Sequence, residues 1–486
     1  MKAGATIAQM LVALLLAILV SSPQGARPAA PDSGEAHYRR GLDAERANDL
    51  NAARQEYEQA IERTPTHAAA HDRLGFVLGR LGRTDEALVH FERAASLSPA
   101  SFDAHYHLGA TRWWTKDLPG ARAALETAVR LRPSHAEARY YLGLTLKQTG
   151  DLGAALAQLR EAARLAPSLA PVHLHLGVSL EQAGDLDGAL THLSAAVSLD
   201  PASVEAQNSL GLALMQSGDA DRAVEVFRAL IVRDPANTAA RLNMGTTLMQ
   251  RGDLGAAIEV LREAVQREPD HAELRYNLGL ALKQRDEFVE AEAQLRRAMD
   301  LDRSLAEAPF TLGVVLWQTG RAGDALALFR EAIARHPGYA DAHYMLGTIL
   351  RQQNALDEAI SEFKKAAALN PASSEAQLSL GQALAVVGDA AGSARALAEA
   401  ERLNALKANA QASTFAVGVG LERLKAADLP GAIKQFREAI RLAPENPRAH
   451  YQLAIVLRRT GAHSEAERHF AEARRLAPYL APPEKH

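Results

Sequence analysis

The sequence contains no cysteine, which excludes disulfides, thiolate metal sites, cysteine nucleophiles and a lipidated N-terminal cysteine. The absence does not fix the compartment, because an oxidising space permits cysteine without requiring it. Aromatic residues are also scarce, at 5% of 486 residues, and β-branched residues are few beside alanine and leucine. Since alanine and leucine lose little side-chain freedom in a helix, this composition favours α-helix.

A strong excess of charge of either sign is missing as well. The chain has 54 basic and 58 acidic residues, for a formal net charge of −4, and both signs are interspersed along its length. A protein that binds duplex nucleic acid usually carries a basic patch or stripe. We therefore expect neither nucleic acid nor an anionic lipid surface as the main partner.

Motifs that carry catalysis or bind cofactors are absent too. The sequence has no GxxxxGK[ST] phosphate loop, no HExxH and no GxSxG, and Gly418-Val419-Gly420 lacks the rest of a dinucleotide loop. Histidine is plentiful, with 17 copies, but a metal site needs three or four converging ligands. His-x-His pairs such as His105/His107 point apart on a helix. We expect no catalytic residue, no cofactor and no metal.

The N-terminus has the order of a secretion signal. Lys2 precedes an apolar stretch over residues 7–20, and small or polar residues follow up to Ala26. This predicts a signal peptide over residues 1–26, with Gln24 at −3 of the cleavage point, then a linker over 27–33. The alternative is an uncleaved anchor, although about 14 apolar residues are few against the ~20 that span a bilayer. The expected location is periplasmic or secreted.

A Leu-Gly dipeptide recurs every 34 residues, and its glycine is defined here as position 8 of a repeat. Position 20 is alanine and position 24 is large and apolar almost throughout, and position 32 is proline in eleven of thirteen repeats. The position-8 glycines from repeat 2 to repeat 11 are Gly75, Gly109, Gly143, Gly177, Gly211, Gly245, Gly279, Gly313, Gly347 and Gly381.

These positions describe a helical hairpin. Positions 4, 7, 8 and 11 share one face of a first helix, and positions 20, 24 and 27 share one face of a second. Small residues at 8 and 20 let the helices approach closely, and proline at 32 ends the second helix. Ser134, Asn237, Asp270, Ser304 and Asn446, which follow the proline, are predicted to cap the next first helix.

The pattern resembles the tetratricopeptide repeat, as in Leu346-Gly347, Ala359, Phe363 and Pro371. The resemblance covers residues 34 to about 480 and implies an all-α fold, a right-handed superhelical solenoid of antiparallel hairpins. Repeats 1–11 occupy residues 34–407, and repeats 12 and 13 occupy 413–480, before a tail over 481–486. The extra residues 408–412 predict a flexible joint or a longer helix; the alternative is continuous stacking.

The resemblance also implies that positions 2, 5, 9, 12 and 13 line a concave groove. Position 2 is often acidic, position 5 is often aromatic, and position 13 is glutamine in seven consecutive repeats. An amide row of this kind can pair with an extended peptide backbone; the alternative is inherited family consensus. The candidate groove residues are Gln148, Gln182, Gln216, Gln250, Gln284, Gln318, Gln352, Tyr106, Tyr140, Tyr276, Phe310, Tyr344 and Trp317. Trp113 and Trp114 are further candidate anchors.

We therefore expect a non-catalytic, exported scaffold that binds other proteins or extended peptides, with membrane contact only through an uncleaved N-terminus. One alternative is an assembly factor for envelope machinery, such as outer-membrane protein insertion, pilus or polysaccharide export. A much weaker alternative is the repeat part of a protein resembling O-GlcNAc transferase, which would require a glycosyltransferase domain. The cytosolic chaperone-tail clamp of the family is not matched, since Tyr38 and Leu42 stand at its lysine and asparagine positions.

The signal prediction is testable by the mass of the exported protein. Expression with the native N-terminus in a bacterial host should give a periplasmic or secreted chain that begins at Arg27. A membrane-bound chain that retains residues 1–26 would show an anchor instead.

Overall fold

The computed structural model describes residues 32–477, and within that range all regular secondary structure is α-helical. The predicted signal, most of the linker and the tail lie outside the described residues. No helix of the described part is long and apolar enough to cross a membrane. The chain divides into two compact units, residues 1–201 and 202–486.

The described part of the first unit contains ten helices of 13 or 14 residues, two for each of repeats 1–5. Their bounds are α1 Gly34–Arg46, α2 Leu50–Arg63, α3 Ala68–Arg80, α4 Thr84–Leu97, α5 Phe102–Trp114, α6 Leu118–Leu131, α7 Ala136–Gln148, α8 Leu152–Leu165, α9 Ala170–Gln182 and α10 Leu186–Leu199. The two helices of each repeat pack as an antiparallel hairpin, and each hairpin contacts the next within the unit.

The second unit contains fifteen helices in its described part and spans repeats 6–13. Their bounds are α11 Val204–Gln216, α12 Ala220–Arg233, α13 Thr238–Arg251, α14 Leu254–Arg267, α15 Ala272–Gln284, α16 Phe288–Leu301, α17 Glu307–Gln318, α18 Ala322–Arg335, α19 Ala340–Gln352, α20 Leu356–Leu369, α21 Ser374–Val386, α22 Ala390–Lys425, α23 Leu429–Leu442, α24 Pro447–Arg459 and α25 His463–Leu476.

The turn inside each hairpin has the same backbone in every repeat. Position 15 has a positive φ throughout, and glycine fills it in eight repeats, for example Gly320 at +82°. Position 16 is most often an aspartate whose carboxylate accepts a hydrogen bond from the backbone N–H three residues on, as Asp253 does from Ala256. These two positions end the first helix and start the second.

The predicted caps of the first helices are correct at two positions and wrong at three. Asn237 and Asn446 accept from the N–H groups of Ala240 and Ala449, as expected. In repeats 4 and 8 the cap lies one residue after Ser134 and Asp270, and a histidine ring nitrogen accepts instead. Ser304 is also wrong, since α17 begins after Ala306, which has no side-chain cap. Outside repeats 9 and 12, the first helix thus starts directly after position 34, and a polar residue one position earlier does not cap it.

Close contact between positions 8 and 24 holds each hairpin together. A Cβ added to Gly313 would lie 2.8 Å from Cε1 of Phe329, and one added to Gly211 would lie 2.5 Å from Cζ of Phe227. Both phenylalanines are fully buried. Glycine at position 8 therefore gives the bulky residue at 24 the room to fill the space between the helices.

The helix α22 runs without a break through residues 408–412, which the sequence marked as a joint or a longer helix. Its 36 residues form the second helix of repeat 11 and the first helix of repeat 12, and it packs against α21 and α23. Every residue from 404 to 412 is exposed. No helix breaker stands here, because Ala405 occupies the proline position.

In most repeats, one face of the first helix is buried against the preceding hairpin. In repeat 12 this face is exposed. Position 3 is a buried alanine such as Ala308 or Ala342, but repeat 12 has Phe415, which is 75% exposed. Position 10 is buried in most repeats, whereas Glu422 of repeat 12 is exposed, like Asp43 of the first repeat. Position 28 of repeat 11 is the exposed Glu401, where most repeats have an apolar residue. Repeats 11 and 12 thus expose side chains at positions that most other repeats bury against a neighbour, as the first repeat does with Asp43.

The contact between positions 8 and 24 predicts opposite effects of one substitution at two glycines of repeat 9. Gly313→Ala should destabilise the hairpin by about 1–3 kcal/mol, since the added methyl group overpacks against Phe329. Gly323→Ala, where a Cβ meets nothing within 4 Å, should be neutral or stabilise by up to about 1 kcal/mol through helix propensity. Hydrogen exchange of α17 and α18 measures both; equal effects would contradict the packing account.

Candidate functional site

The glutamine row lies on the exposed ends of the first helices. Within the second unit it comprises five residues, in helices α11, α13, α15, α17 and α19. Helices α11, α13, α15 and α17 contact one another in succession, and α17 contacts α19 through Trp317 and Gln352. Four are the last residue of their helix, and Gln250 is the last but one. The row in this unit is Gln216, Gln250, Gln284, Gln318 and Gln352, all exposed. In the first unit Gln148 and Gln182 end α7 and α9 in the same way.

The aromatic row at position 5 is mostly engaged in packing. Tyr106 and Tyr140 are 7% and 8% exposed, so they leave little surface for a partner. Phe310 and Tyr344 lie against the position-24 rings of their own repeats, with centroids 5.7 and 5.9 Å apart. Together with Tyr276 these two are half-buried, so one side of each ring contacts solvent.

The tryptophans occupy positions 12 and 13. In the first unit Trp113 packs edge-on against Trp114, with centroids 5.0 Å apart, and against Tyr141. In the second unit Trp317 is half-buried and its Nε1–H donates to Oε1 of Gln352 at 3.5 Å. Trp317 therefore contacts both Gln352 of the glutamine row and the hydrophobic core of the second unit.

Polar contacts that the sequence did not point to connect successive first helices. A side chain at position 5 meets one at position 6 of the next repeat: Asn243 donates to Asn208 at 3.0 Å, and Thr311 to Tyr276 at 3.5 Å. In the first unit Asp72 pairs with His107 at 2.9 Å. Burial alone would lower the pKa of His107, but the Asp72 carboxylate raises that pKa overall. These contacts fix the spacing of the first helices.

The side chain at position 4 bridges three chain segments, a role that was not predicted from the sequence. Nε2–H of His71 donates to the carbonyl of Pro65, at the end of the preceding repeat, at 3.2 Å. Its Nδ1 lies 3.0 Å from Nδ1 of His90, at position 23 on the second helix. Arg139 makes the same bridge, to the Pro133 carbonyl and to Gln158. In the sequence, this bridge corresponds to polar residues at both position 4 and position 23, which are 19 residues apart.

The histidine–histidine form of this bridge occurs three times among residues 32–477. His173 and His192 repeat the arrangement in repeat 5, with Nδ1 atoms 3.0 Å apart, and His450 and His469 repeat it in repeat 13 at 2.9 Å. Because the proline carbonyl can only accept, the position-4 ring carries its proton on Nε2, and its Nδ1 accepts from the position-23 ring. Burial, and then its neighbour His173, lower the pKa of His192 to about 4.

The described residues contain no group of three or more histidine, cysteine, aspartate or glutamate side chains that converges on one point. Many ion pairs join residues three or four apart on one helix, such as Arg164–Glu161 and Arg402–Glu399, and surface pairs of this kind contribute little to stability. The features that distinguish this surface are therefore a row of exposed amides at position 13 and half-buried aromatic rings at position 5 of the same helices.

Comparison with protein families gives one consistent result. A family model described as tetratricopeptide repeat matches residues 38–102, 116–170, 174–238, 242–306, 310–374 and 420–481, and a second model with the same description matches 78–140. The matches leave out residues 375–419, which hold most of repeat 11 and of α22. No curated protein sequence matches the chain significantly.

Three solved structures illustrate the similarity. MamA is 31% identical, over 33% of this chain and 95% of its own, with a TM-score of 0.31. PilF of Pseudomonas aeruginosa is 21% identical, over 43% and 95%, with a TM-score of 0.37. Yeast Tom70 is 15% identical, over 91% and 92%, with a TM-score of 0.37. At these scores the family assignment rests on the repeat sequence.

The low pKa of His192 predicts that repeat 5 loosens in acid. Its folded-state pKa of about 4 lies below the ordinary value near 6.5, so the folded state binds fewer protons than the unfolded state. Stability is then full above about pH 6.5 and falls as the pH drops toward 4. Hydrogen exchange of α9 and α10 should show this loss, and His192→Gln should reduce it; an unchanged pH profile in the variant would contradict the assignment.

Proposed function

Because the chain belongs to the tetratricopeptide repeat family, we propose that it is an exported, non-catalytic scaffold that holds an extended peptide or a partner protein against its first helices. The family is a protein-interaction fold. The observation that carries the finer proposal is the uninterrupted row of exposed amides from Gln216 to Gln352. The N-terminal segment of residues 1–26 supports export, since it has the order of a secretion signal.

The spacing of the row suits an extended backbone. Packed helices lie about 8–10 Å apart, and an extended polyproline-II chain advances about 3.1 Å per residue, or about 9 Å in three residues. One glutamine then meets every third residue of such a peptide. Across the second unit, five glutamines with four gaps would follow about 13 residues of peptide.

The chemistry of the row suits a peptide of varied sequence. Each glutamine amide offers an N–H₂ donor to a peptide carbonyl and an oxygen acceptor to a peptide N–H. Neither contact depends on the side chains of the peptide, so selectivity must come from neighbouring groups. The solvent-facing sides of Tyr276, Phe310 and Tyr344 provide rigid apolar area at low entropic cost.

A variant that adds three negative charges to the glutamine row tests the groove. Gln216→Glu, Gln250→Glu and Gln284→Glu together remove three N–H₂ donors while keeping length and helix propensity. We expect partner binding from an envelope extract to weaken by tenfold or more, because a lost hydrogen bond is worth about 1 kcal/mol and an unpaired partner group costs more.

The matched control adds the same charge elsewhere in the second unit. Gln266→Glu, Asn370→Asp and Asn404→Asp change three exposed amides on or directly after second helices. This variant should bind its partner like the parent chain. If the groove variant also keeps full binding, the row is inherited consensus and the groove assignment is wrong.

A further inference from the structure

We propose that the three histidine pairs, His71/His90, His173/His192 and His450/His469, are binding sites for a divalent transition-metal ion that prefers imidazole, Cu²⁺ above all. Each site lies inside one hairpin, between position 4 of the first helix and position 23 of the second. The described residues contain no third ligand at these pairs, so water would complete the coordination. The pairs lie in repeats 2, 5 and 13, whereas the amides and half-buried rings of the proposed groove in the second unit lie in repeats 6–10. The inference is therefore independent of the proposed groove.

The separation of the ring nitrogens fits one ion. The Nδ1 atoms lie 3.0, 3.0 and 2.9 Å apart in the three pairs. With an ion about 2.0–2.1 Å from both nitrogens, the N–metal–N angle would be roughly 90–95°. This matches two neighbouring ligands in the tetragonal geometry of Cu²⁺. The ion would lie about 1.4 Å off the line between the nitrogens, so the rings need only a small rotation.

The orientation of one ligand is already set. In each pair Nε2–H of the position-4 ring donates to a proline carbonyl: His71 to Pro65, His173 to Pro167 and His450 to Pro444, at 3.2, 3.1 and 2.9 Å. This leaves Nδ1 of the position-4 ring unprotonated and aimed at its partner. A ligand histidine whose other nitrogen donates to a backbone carbonyl is the usual second-shell arrangement of metal sites.

Binding needs no net loss of protons from the pair. Before binding, the position-23 ring holds its proton on Nδ1 and shares it with the position-4 ring. The ion replaces that hydrogen bond with two nitrogen–metal bonds, and the proton of the position-23 ring moves to its own Nε2 through solvent. His90, His192 and His469 are each half-buried, so the ion and water reach the pair from outside.

The charges around the pairs are mixed. Glu58 and Glu86 act on His90, and Arg93 and His67 on His71. Asp185 and Arg160 act on His192, while Glu465, Arg437 and Arg468 act on His469. A carboxylate therefore opposes the cationic groups at every pair.

The test uses the full chain, prepared without a histidine tag and stripped with a chelator, and titrated with Cu²⁺–glycine at pH 7.4. We expect about three Cu²⁺ per chain, with paramagnetic resonance spectra of two imidazole nitrogens per ion. His90→Gln, His192→Gln and His469→Gln together should abolish these three sites and weaken residual Cu²⁺ binding at least tenfold, and each single change should remove one site.

Glutamine is chosen because it already occupies position 23 in Gln158 and Gln294, where it pairs with position 4. The control is His105→Gln, at position 4 of repeat 3, where Ala124 stands at position 23; it should keep all three sites. If the triple variant loses helicity, the three single variants decide. Unchanged stoichiometry and spectra in the variants would mean an adventitious ion only, held by surface histidines, and would overturn the proposal.

Discussion

The contact between glycine at position 8 and a large apolar side chain at position 24 is the constraint on which the rest of the structure depends. It allows two short helices to pack closely enough to bury the position-24 residue fully, as in Phe227, Phe329 and Phe363. A hairpin of two 13- or 14-residue helices still leaves one apolar face open, so neighbouring hairpins must stack. Stacking aligns the first helices, and the alignment turns single glutamines into a row.

The same logic explains where stacking stops. Repeats 11 and 12 keep the close contact inside their hairpins, with Gly420 against Phe436, but they lack the small buried residues that join one hairpin to the next. Phe415 and Glu422 stand where a neighbour would require small or apolar side chains. A continuous helix then connects the two blocks, because the exposed segment of residues 404–412 is rich in alanine and contains no breaker.

Most of the fold was predictable because it depends on residues that recur in phase. The glycine, alanine and proline positions identify the hairpin, and the family comparison confirms the repeat. The caps were predicted less well, since several polar residues follow each proline and only the backbone decides which one precedes the helix. The longer helix was one of three alternatives, beside a flexible joint and continuous stacking, and the lack of a proline at position 405 was its signal.

The candidate site was predictable only in part. The glutamines are exposed as a groove requires, but sequence alone does not separate an aromatic ring that contacts a partner from one that packs, and Tyr106 and Tyr140 pack. The bridge at position 4 was missed because its two contacts are distant in sequence. The position-4 side chain contacts position 23, 19 residues later, and the proline carbonyl at the end of the preceding repeat. A histidine there looked like ordinary packing, although His71/His90, His173/His192 and His450/His469 share one spacing.

The central claim is that partners bind along the exposed ends of the first helices. Site-specific photocrosslinking tests it most directly, with a photoreactive residue placed at Gln284, on the first helix α15 of repeat 8. The control places the same residue at Gln266, on the second helix α14 of the preceding repeat. In the native envelope the account predicts a crosslinked partner from position 284 and none from 266. A partner captured from 266 alone, or equally from both, would contradict it.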